Sequence, residues 1–381
     1  MSIDIFSPRA MAQALLQMKP PRTFLRQLMI RRDEMYTTET VDVDIKVGAR
    51  RLAPFINPNV GPGKVMDRIG FSTRSYKPPM VAPKRPITVS DVMDRRAVGE
   101  NIYSTQTPDE RMALLLGQDL AEIDEDITRR EEWECAQAAF NTGTFGGVPG
   151  TALVVTGDDV SDTIVFPRSA ELLDAVPGAA PNGLGTAAPT STKLTAARCW
   201  DQTTADIPVQ FRQMRRLFQK KTGLSPDFLL MGELAADALI SAPSLSGLSG
   251  FLNTRRLDLG LISPELREGG ATYYGQFAGT GVDIWGYDEW FIDPADGVEK
   301  PMVPPKMVLM GSSKSYTVMR YGAVGVSSGL DGQAQLALVS GRRIPESWVN
   351  KEPAVRFLKV SARPLVVPVQ NDAYITCQVL A

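Results

Sequence analysis

The chain has 381 residues, 43% of them hydrophobic and 22% charged, with a formal net charge of −2. That is enough apolar material for one large domain or two to three smaller ones without metal or disulfide staples, and the near-neutral balance offers no global basic field for nucleic acid. Histidine is absent, which removes the commonest general base, metal ligand and partner of a nucleophile, and the three cysteines, Cys135, Cys199 and Cys377, form no C-x-x-C pair and read as reduced, cytoplasmic thiols.

The first residues, MSIDIFSPRAMAQALLQ, lack the basic start and long apolar run of a signal peptide. No run of about 18 apolar residues occurs, so no membrane span is expected. A short amphipathic stretch, Met11 to Met18, stops at Lys19-Pro20-Pro21. In TFLRQLMIRRDEMY, basic residues alternate with Phe24, Leu25, Leu28, Met29 and Ile30. This fits either a surface helix with a solvated basic face or an arm packed on a neighbouring subunit.

In ETVDVDIKVG, Val41, Val43, Ile45 and Val47 alternate with Asp42, Asp44 and Lys46, the pattern of a half-buried strand. Prolines then recur from Pro54 to Pro86. Proline fixes φ and removes amide donors, so this region is expected to be an extended arm or long hairpin, not compact helix or central sheet. Phe55, Ile56, Phe71 and Tyr76 along it favour an arm that lies on something else.

A long helix is predicted from about Thr107 to Asn141. Thr107-Pro108-Asp109-Glu110 supplies an N-cap, a first-turn proline and a capping-box glutamate. Leu116, Leu120, Ile123 and Ile127 make one apolar stripe, and the carboxylates from Asp119 to Glu134 read as its solvated faces. Residues 143–195 are expected to hold loops and a hairpin built from TALVVTG and DTIVFP. From about Thr192 to Ser328, helix and strand alternate. DIPVQFRQMRRLFQKKTG is a helix with a basic face and a glycine stop, DFLLMG a strand, and ELAADALIS a helix. YYGQFAGTGVDIWGYDEWFI reads as strand, turn, strand; KMVLMGS and TVMRYGAVGV are further strands. The tail from Glu352 reads as two strands joined by a turn.

Tests for chemistry fail one by one. NPNVGPGKV has Pro58 where a P-loop needs glycine and Val65 where it needs a hydroxyl, so it reads as a turn. Carboxylate-bridged metal sites want histidine partners, which are missing. SLSGLSG forms no nucleophile elbow. Trp285, Tyr287, Trp290 and Phe291 read as core or subunit interface. No catalytic residue, cofactor site or metal site is assigned, and arms that cannot stabilise themselves point to partners of the same kind.

The chain resembles the lambda-type (E-type) major capsid proteins of tailed phages. The likeness is carried by TFLRQLMIRRDEMYTTETVDVDI, LAPFINPNVGPGKV, DERMALLLGQDLAEIDEDITRREEWE and the tail ESWVNKEPAVRFLKVSARPLVVPVQNDAYITCQVL, with Trp348, Pro353-Ala354 and Phe357 placed as in the family. Residues 150–340 match in element order only. The resemblance implies an α+β fold of the Hong Kong 97 capsid type, with an N-terminal arm (1–37), an extended loop (38–90) and a peripheral domain (91–195) holding a spine helix. An axial domain (196–329) follows, and a C-terminal segment (330–381) returns to the peripheral domain. It further implies hexamers and pentamers tiling an icosahedral head around packaged DNA, with scaffold and decoration proteins and a portal at one vertex, assembled in a host bacterial cytoplasm without a membrane. Arg22, Arg26, Phe55, Phe71 and Tyr76 are the expected subunit contacts. Some relatives of this fold cross-link loop lysine to asparagine; Lys64, Lys77, Lys84 and Asn350 are the residues to consider, but no acidic helper is evident. The rival readings are a cellular nanocompartment shell of the same fold and a serine–lysine hydrolase.

Overall fold

The computed structural model describes residues 23–45, 68, 72–88, 108–157, 160–173, 183–186, 189–242, 265–267, 270–277, 280–328, 335–350 and 355–381. Phe24–Met29 is a short helix, α1, that runs directly into strand β1, Ile30–Met35. The stretch read as a solvated surface helix is therefore partly strand. Leu25 and Met29 are buried, and β1 pairs in parallel with β15, Thr317–Tyr321. The cause is the open edge of β15, whose backbone groups need partners that β1 supplies.

Val41–Ile45 (β2), the alternating strand, pairs antiparallel with Ser72–Tyr76 (β3), Val41 opposite Tyr76. Except for Arg68, the proline-rich stretch from 46 to 71 lies outside the described residues. Lys84–Thr88 (β4) is the edge of a three-stranded sheet with β18, Ile344–Asn350, and β19, Val355–Ser361. Pro86 sits there because an edge strand can spare an amide.

The long helix, α2, spans Pro108–Phe140, 33 residues, or about 50 Å at a rise of about 1.5 Å per residue. Three antiparallel strands follow it: β5 (Thr142–Phe145), β6 (Val148–Gly157) and β7 (Val160–Pro167). Gly146 and Gly147, at φ 57° and 82°, make the two-residue turn between β5 and β6 that requires positive φ at both positions.

Helix α3, Ile207–Thr222, starts where the Asp206 side chain accepts from Val209 N–H at 3.1 Å and stops at Gly223, φ 80°. Its Phe211, Met214, Leu217 and Phe218 are buried and Lys220 and Lys221 close its last turn, as the sequence pattern predicts. Strand β8 (Phe228–Met231) and helix α4 (Glu233–Ser241) come next. Then follow β9 (Glu265–Arg267), β10 (Ala271–Phe277), β11 (Val282–Tyr287), β12 (Trp290–Ile292), β13 (Glu299–Pro301) and β14 (Met307–Gly311). A six-stranded mixed sheet has the order β21-β14-β8-β11-β10-β9, with β21 being Tyr374–Gln378. β12 and β13 pair in a separate two-stranded ribbon, the tongue.

TVMRYGAVGV, expected as one strand, is two: β15 and β16 (Val324–Ser328), which enter different sheets. The break falls at Gly322, where a Cβ would lie 3.3 Å from the Glu39 carbonyl. β16 pairs with β17, Gln335–Val339. The tail from Glu352 holds three strands, not two, because Arg363-Pro364 interrupts it: β19, β20 (Pro364–Pro368) and β21. β20 pairs with β15 and β21 with β14, so the tail divides between two sheets.

Three buried clusters follow among the described residues. One joins α3, α4 and one side of the six-stranded sheet. A second gathers α1, the C-terminal half of α2, β15, β20 and the other side of that sheet. The third packs the Leu116, Leu120, Ile123 and Ile127 stripe of α2 on Ile87, Leu358, Val360 and Ala362. The long helix is thus a strut touching two of the three.

Candidate functional site

The most concentrated chemistry lies on α2 itself. The apolar stripe ends at Ile127, but its spacing continues through Glu131, Glu134 and Ala138, so two carboxylates fall on the buried face. Glu131, Glu132 and Glu134 are 0%, 2% and 1% exposed. This corrects the expectation that they occupy solvated faces. Burial of that kind demands partners, since an unpaired buried charge is strongly unfavourable.

Asp124, Thr128 and Glu131 stand at i, i+4 and i+7, one face of the helix, and Arg343 clamps all three. Its Nε donates to Asp124 at 2.7 Å, Nη2 to Thr128 Oγ1 at 3.1 Å and Nη1 to Glu131 Oε1 at 2.5 Å. Glu131 also accepts from Tyr321 Oη at 3.0 Å and Arg342 Nη2 at 3.3 Å, and Arg26 Nε lies 3.5 Å away. Burial alone would raise the Glu131 carboxyl, but the guanidiniums of Arg343, Arg342 and Arg26 hold it below the ordinary carboxylate range.

Glu132 works differently. Its carboxylate accepts from the backbone N–H of Leu25 at 2.7 Å and of Arg26 at 2.9 Å, and from Tyr287 Oη at 2.8 Å. Thr23, at the N-cap of α1, makes no side-chain cap bond. Glu132 is therefore a cap supplied from another helix, satisfying orphan amides and sitting at the positive end of α1. Burial still pushes its carboxyl upward, against the pull of those donors.

A second junction ties the end of α2 to the tail. Arg168 is fully enclosed and donates to Asn371 Oδ1 at 2.9 Å and to the Ala139 carbonyl at 3.3 Å. Its guanidinium lies over the Tyr374 ring, and desolvation lowers its pKa to about 10.

Of the contact residues expected from sequence, Arg22, Phe55 and Phe71 lie outside the described residues. Arg26 is half-buried and Tyr76 buried, both against parts of the same chain. Arg26 pairs with Asp33 at 2.5 Å, and Tyr76 is 8% exposed with its ring 5.5 Å from Phe166. The aromatic group read as core or interface divides by burial. Trp285 and Tyr287 pack on Phe24 at 5.2 and 5.6 Å, while Trp290 on the tongue is exposed.

The arrangement holds parts together. One helix turn joins α1, β11, β15 and the Arg342-Arg343 corner. Among the described residues no group of three or more Cys, Asp or Glu is placed to hold a metal ion, and no helix is long and apolar enough to cross a membrane.

Comparison with known proteins agrees with this architecture. The family model for phage major capsid protein E matches residues 7–151 and 182–379. The chain is 23% identical over 393 residues to the P21 prophage-derived major head protein of Escherichia coli O6:H1 strain CFT073, covering 99% of this chain and all of that protein. It is similar to the same extent to the major capsid protein of Enterobacteria phage P21. Among solved structures, a prophage capsid protein from E. coli CFT073 superposes with a TM-score of 0.59 at 15% identity, covering 97% of this chain and 95% of the other. The fold is α+β and of the Hong Kong 97-like capsid type. With the family model spanning most of its length, the chain belongs to the phage major capsid protein E family.

Proposed function

We propose that this chain assembles as hexamers and pentamers into the icosahedral shell of a phage head, enclosing double-stranded DNA and performing no catalysis. Family membership makes it a phage major capsid protein of the virion head. The observation that carries the finer reading is the buried junction on α2. It fastens the N-terminal segment, the six-stranded sheet and the tail to one rigid helix, as a plate that must tile without deforming requires. In this reading residues 1–37 are an arm, 38–90 an extended loop, and 91–195 with 330–381 a peripheral domain, while 196–329 crowd the symmetry axes. Arg22, Phe55 and Phe71 meet neighbouring copies. Arg26 and Tyr76 act at the roots of the arm and loop, where their intramolecular contacts fix the direction in which each leaves the body. Scaffold and decoration proteins and a portal complete the particle.

Electron microscopy of the purified chain, alone and with any scaffold encoded beside it, tests this. Rings of five and six or closed shells tens of nanometres across are expected. A uniform monomer under both conditions, or turnover of ester or peptide substrates, would contradict it.

A further inference from the structure

Glu134 is the one acidic side chain of the α2 cluster that the junction leaves unmatched. One of its carboxyl oxygens accepts from the backbone N–H of Val366. The other, Oε2, is buried with no hydrogen-bond partner. Burial, and then the neighbouring charge of Glu131, push this carboxyl well above the ordinary range. A buried acceptor left open is the kind of group that calls for a missing partner.

Glu134 forms part of the floor of a cleft of about 890 Å³. Its walls are the 79–83 segment, the facing ends of β6 and β7 at Val155, Thr156, Gly157 and Val160, Phe291 of the tongue's first strand, and residues 293–295 after it. Trp133 and Phe291, both lining it, pack edge to face on each other at 6.5 Å. Around the rim Met80 and Val160 are 48% and 50% exposed. Arg130 lines the cleft too, but its guanidinium is over the Trp133 ring at 4.8 Å.

We propose that this cleft is a socket for a lysine or arginine side chain presented by a second copy of the chain, with Glu134 Oε2 as the buried acceptor and Trp133 and Phe291 as walls. The inference rests on the assembly reading above. Charge complementarity selects the occupant: a carboxylate floor with aromatic walls suits an ammonium or guanidinium on a methylene stem. The exposed apolar rim selects a protein surface over a free cation, and a shell subunit meets copies of itself more often than any other protein.

The groups facing Glu134 fix the proton balance. Glu131, Arg130 and Cys135 lie beside it on α2, and Asp293 lies across the cleft, held by Lys300 at 2.6 Å. The lining residues of the 79–83 segment, together with Val155, Thr156, Gly157 and Val160, carry no ionisable side chain. In the free subunit the carboxyl keeps its proton to higher pH. An arriving cation favours the ionised form, so docking releases a proton and assembly tightens as pH rises.

The test uses the full chain with Glu134→Gln, Glu134→Leu and, as a control on the exposed side of the helix, Glu125→Gln. Assembly is followed by light scattering against concentration between pH 5 and 8, and unfolding of the unassembled subunit by thermal melting. Glu134→Gln, which keeps an acceptor for the Val366 N–H, is expected to melt at or above the wild-type temperature, and Glu134→Leu, which leaves that N–H open, somewhat below it. They should nevertheless need about tenfold more protein to assemble at pH 7.5, with no remaining pH dependence from this group, while the control matches wild type. Assembly of both variants within twofold of wild type overturns the socket. Loss of the melting transition in both also overturns it, since Glu134 would then be a folding residue. A wild-type chain that never assembles contradicts the shell reading itself, which separates the two failures.

Discussion

At the scale of single residues, the fold depends on charges that are buried in matched sets. Arg343 holds Asp124, Thr128 and Glu131 at once, so Arg343→Ala leaves two carboxylates facing an empty site. The expected loss is about 3–5 kcal/mol, the range for breaking a buried pair from one side, read from the denaturation midpoint of the unassembled subunit. The double change Glu131→Leu with Arg343→Met should recover much of it, because apolar groups of similar size need no partner. The pH response follows with opposite signs for two neighbours. Glu131 is held below its unfolded value, so its contribution is present at neutral pH and is lost as pH falls through the folded value. Glu132 is raised, so its contribution is present in acid and is lost as pH rises from the unfolded value through the folded one. Glu131→Gln should flatten the acid side of the stability profile and Glu132→Gln its neutral side, in urea titrations across pH 3 to 8.

At the scale of elements, the interesting unit is α1. Six residues cannot hold a helix alone, and its own N-cap residue adds no side-chain bond. Glu132 makes it possible from outside. Removing that carboxylate by Glu132→Ala should cost about 2 kcal/mol or more, given about 1.5–3 kcal/mol for a hydrogen bond to a charged group. It should appear first as faster amide exchange at Leu25 and Arg26, with the strands of the six-stranded sheet still protected. Close approach sets another limit. A Cβ on Gly232 would stand 2.4 Å from the Pro304 carbonyl and 2.7 Å from Pro305 Cα. Both are backbone atoms that cannot swing aside, so Gly232→Ala is expected to destabilise by about 1–3 kcal/mol, read as a lower melting temperature. Regular elements were legible because their signals are local: the Thr107–Glu110 start of α2, the Gly223 stop of α3, the alternation in β2. The missed features are non-local. β1 is strand because β15 offers an edge nearly three hundred residues away, and Glu132 is buried because α1 arrives to use it. One clue was present: the 116, 120, 123, 127 stripe extends by its own spacing to 131 and 134, which marks two glutamates as buried before any partner is known.

At the scale of the whole molecule, two of the three buried clusters meet along a strut about 50 Å long. A chain built this way gains its remaining contacts from copies of itself. The order of features along the sequence was enough to reach the capsid family, since arm, loop, strut and tail recur in that order even where residues 150–340 match weakly. Which surfaces meet was not legible, because interface residues are chosen by a neighbour's shape and not by a local pattern. The measurement that bears most directly on this account is a cryo-electron microscopy reconstruction of particles formed by the purified chain with its scaffold. The account predicts a closed shell of rings of five and six subunits, each subunit carrying the α2 junction intact and a neighbour's cationic side chain at Glu134. Particles without such rings, or a chain that stays monomeric at every concentration and pH, would contradict it.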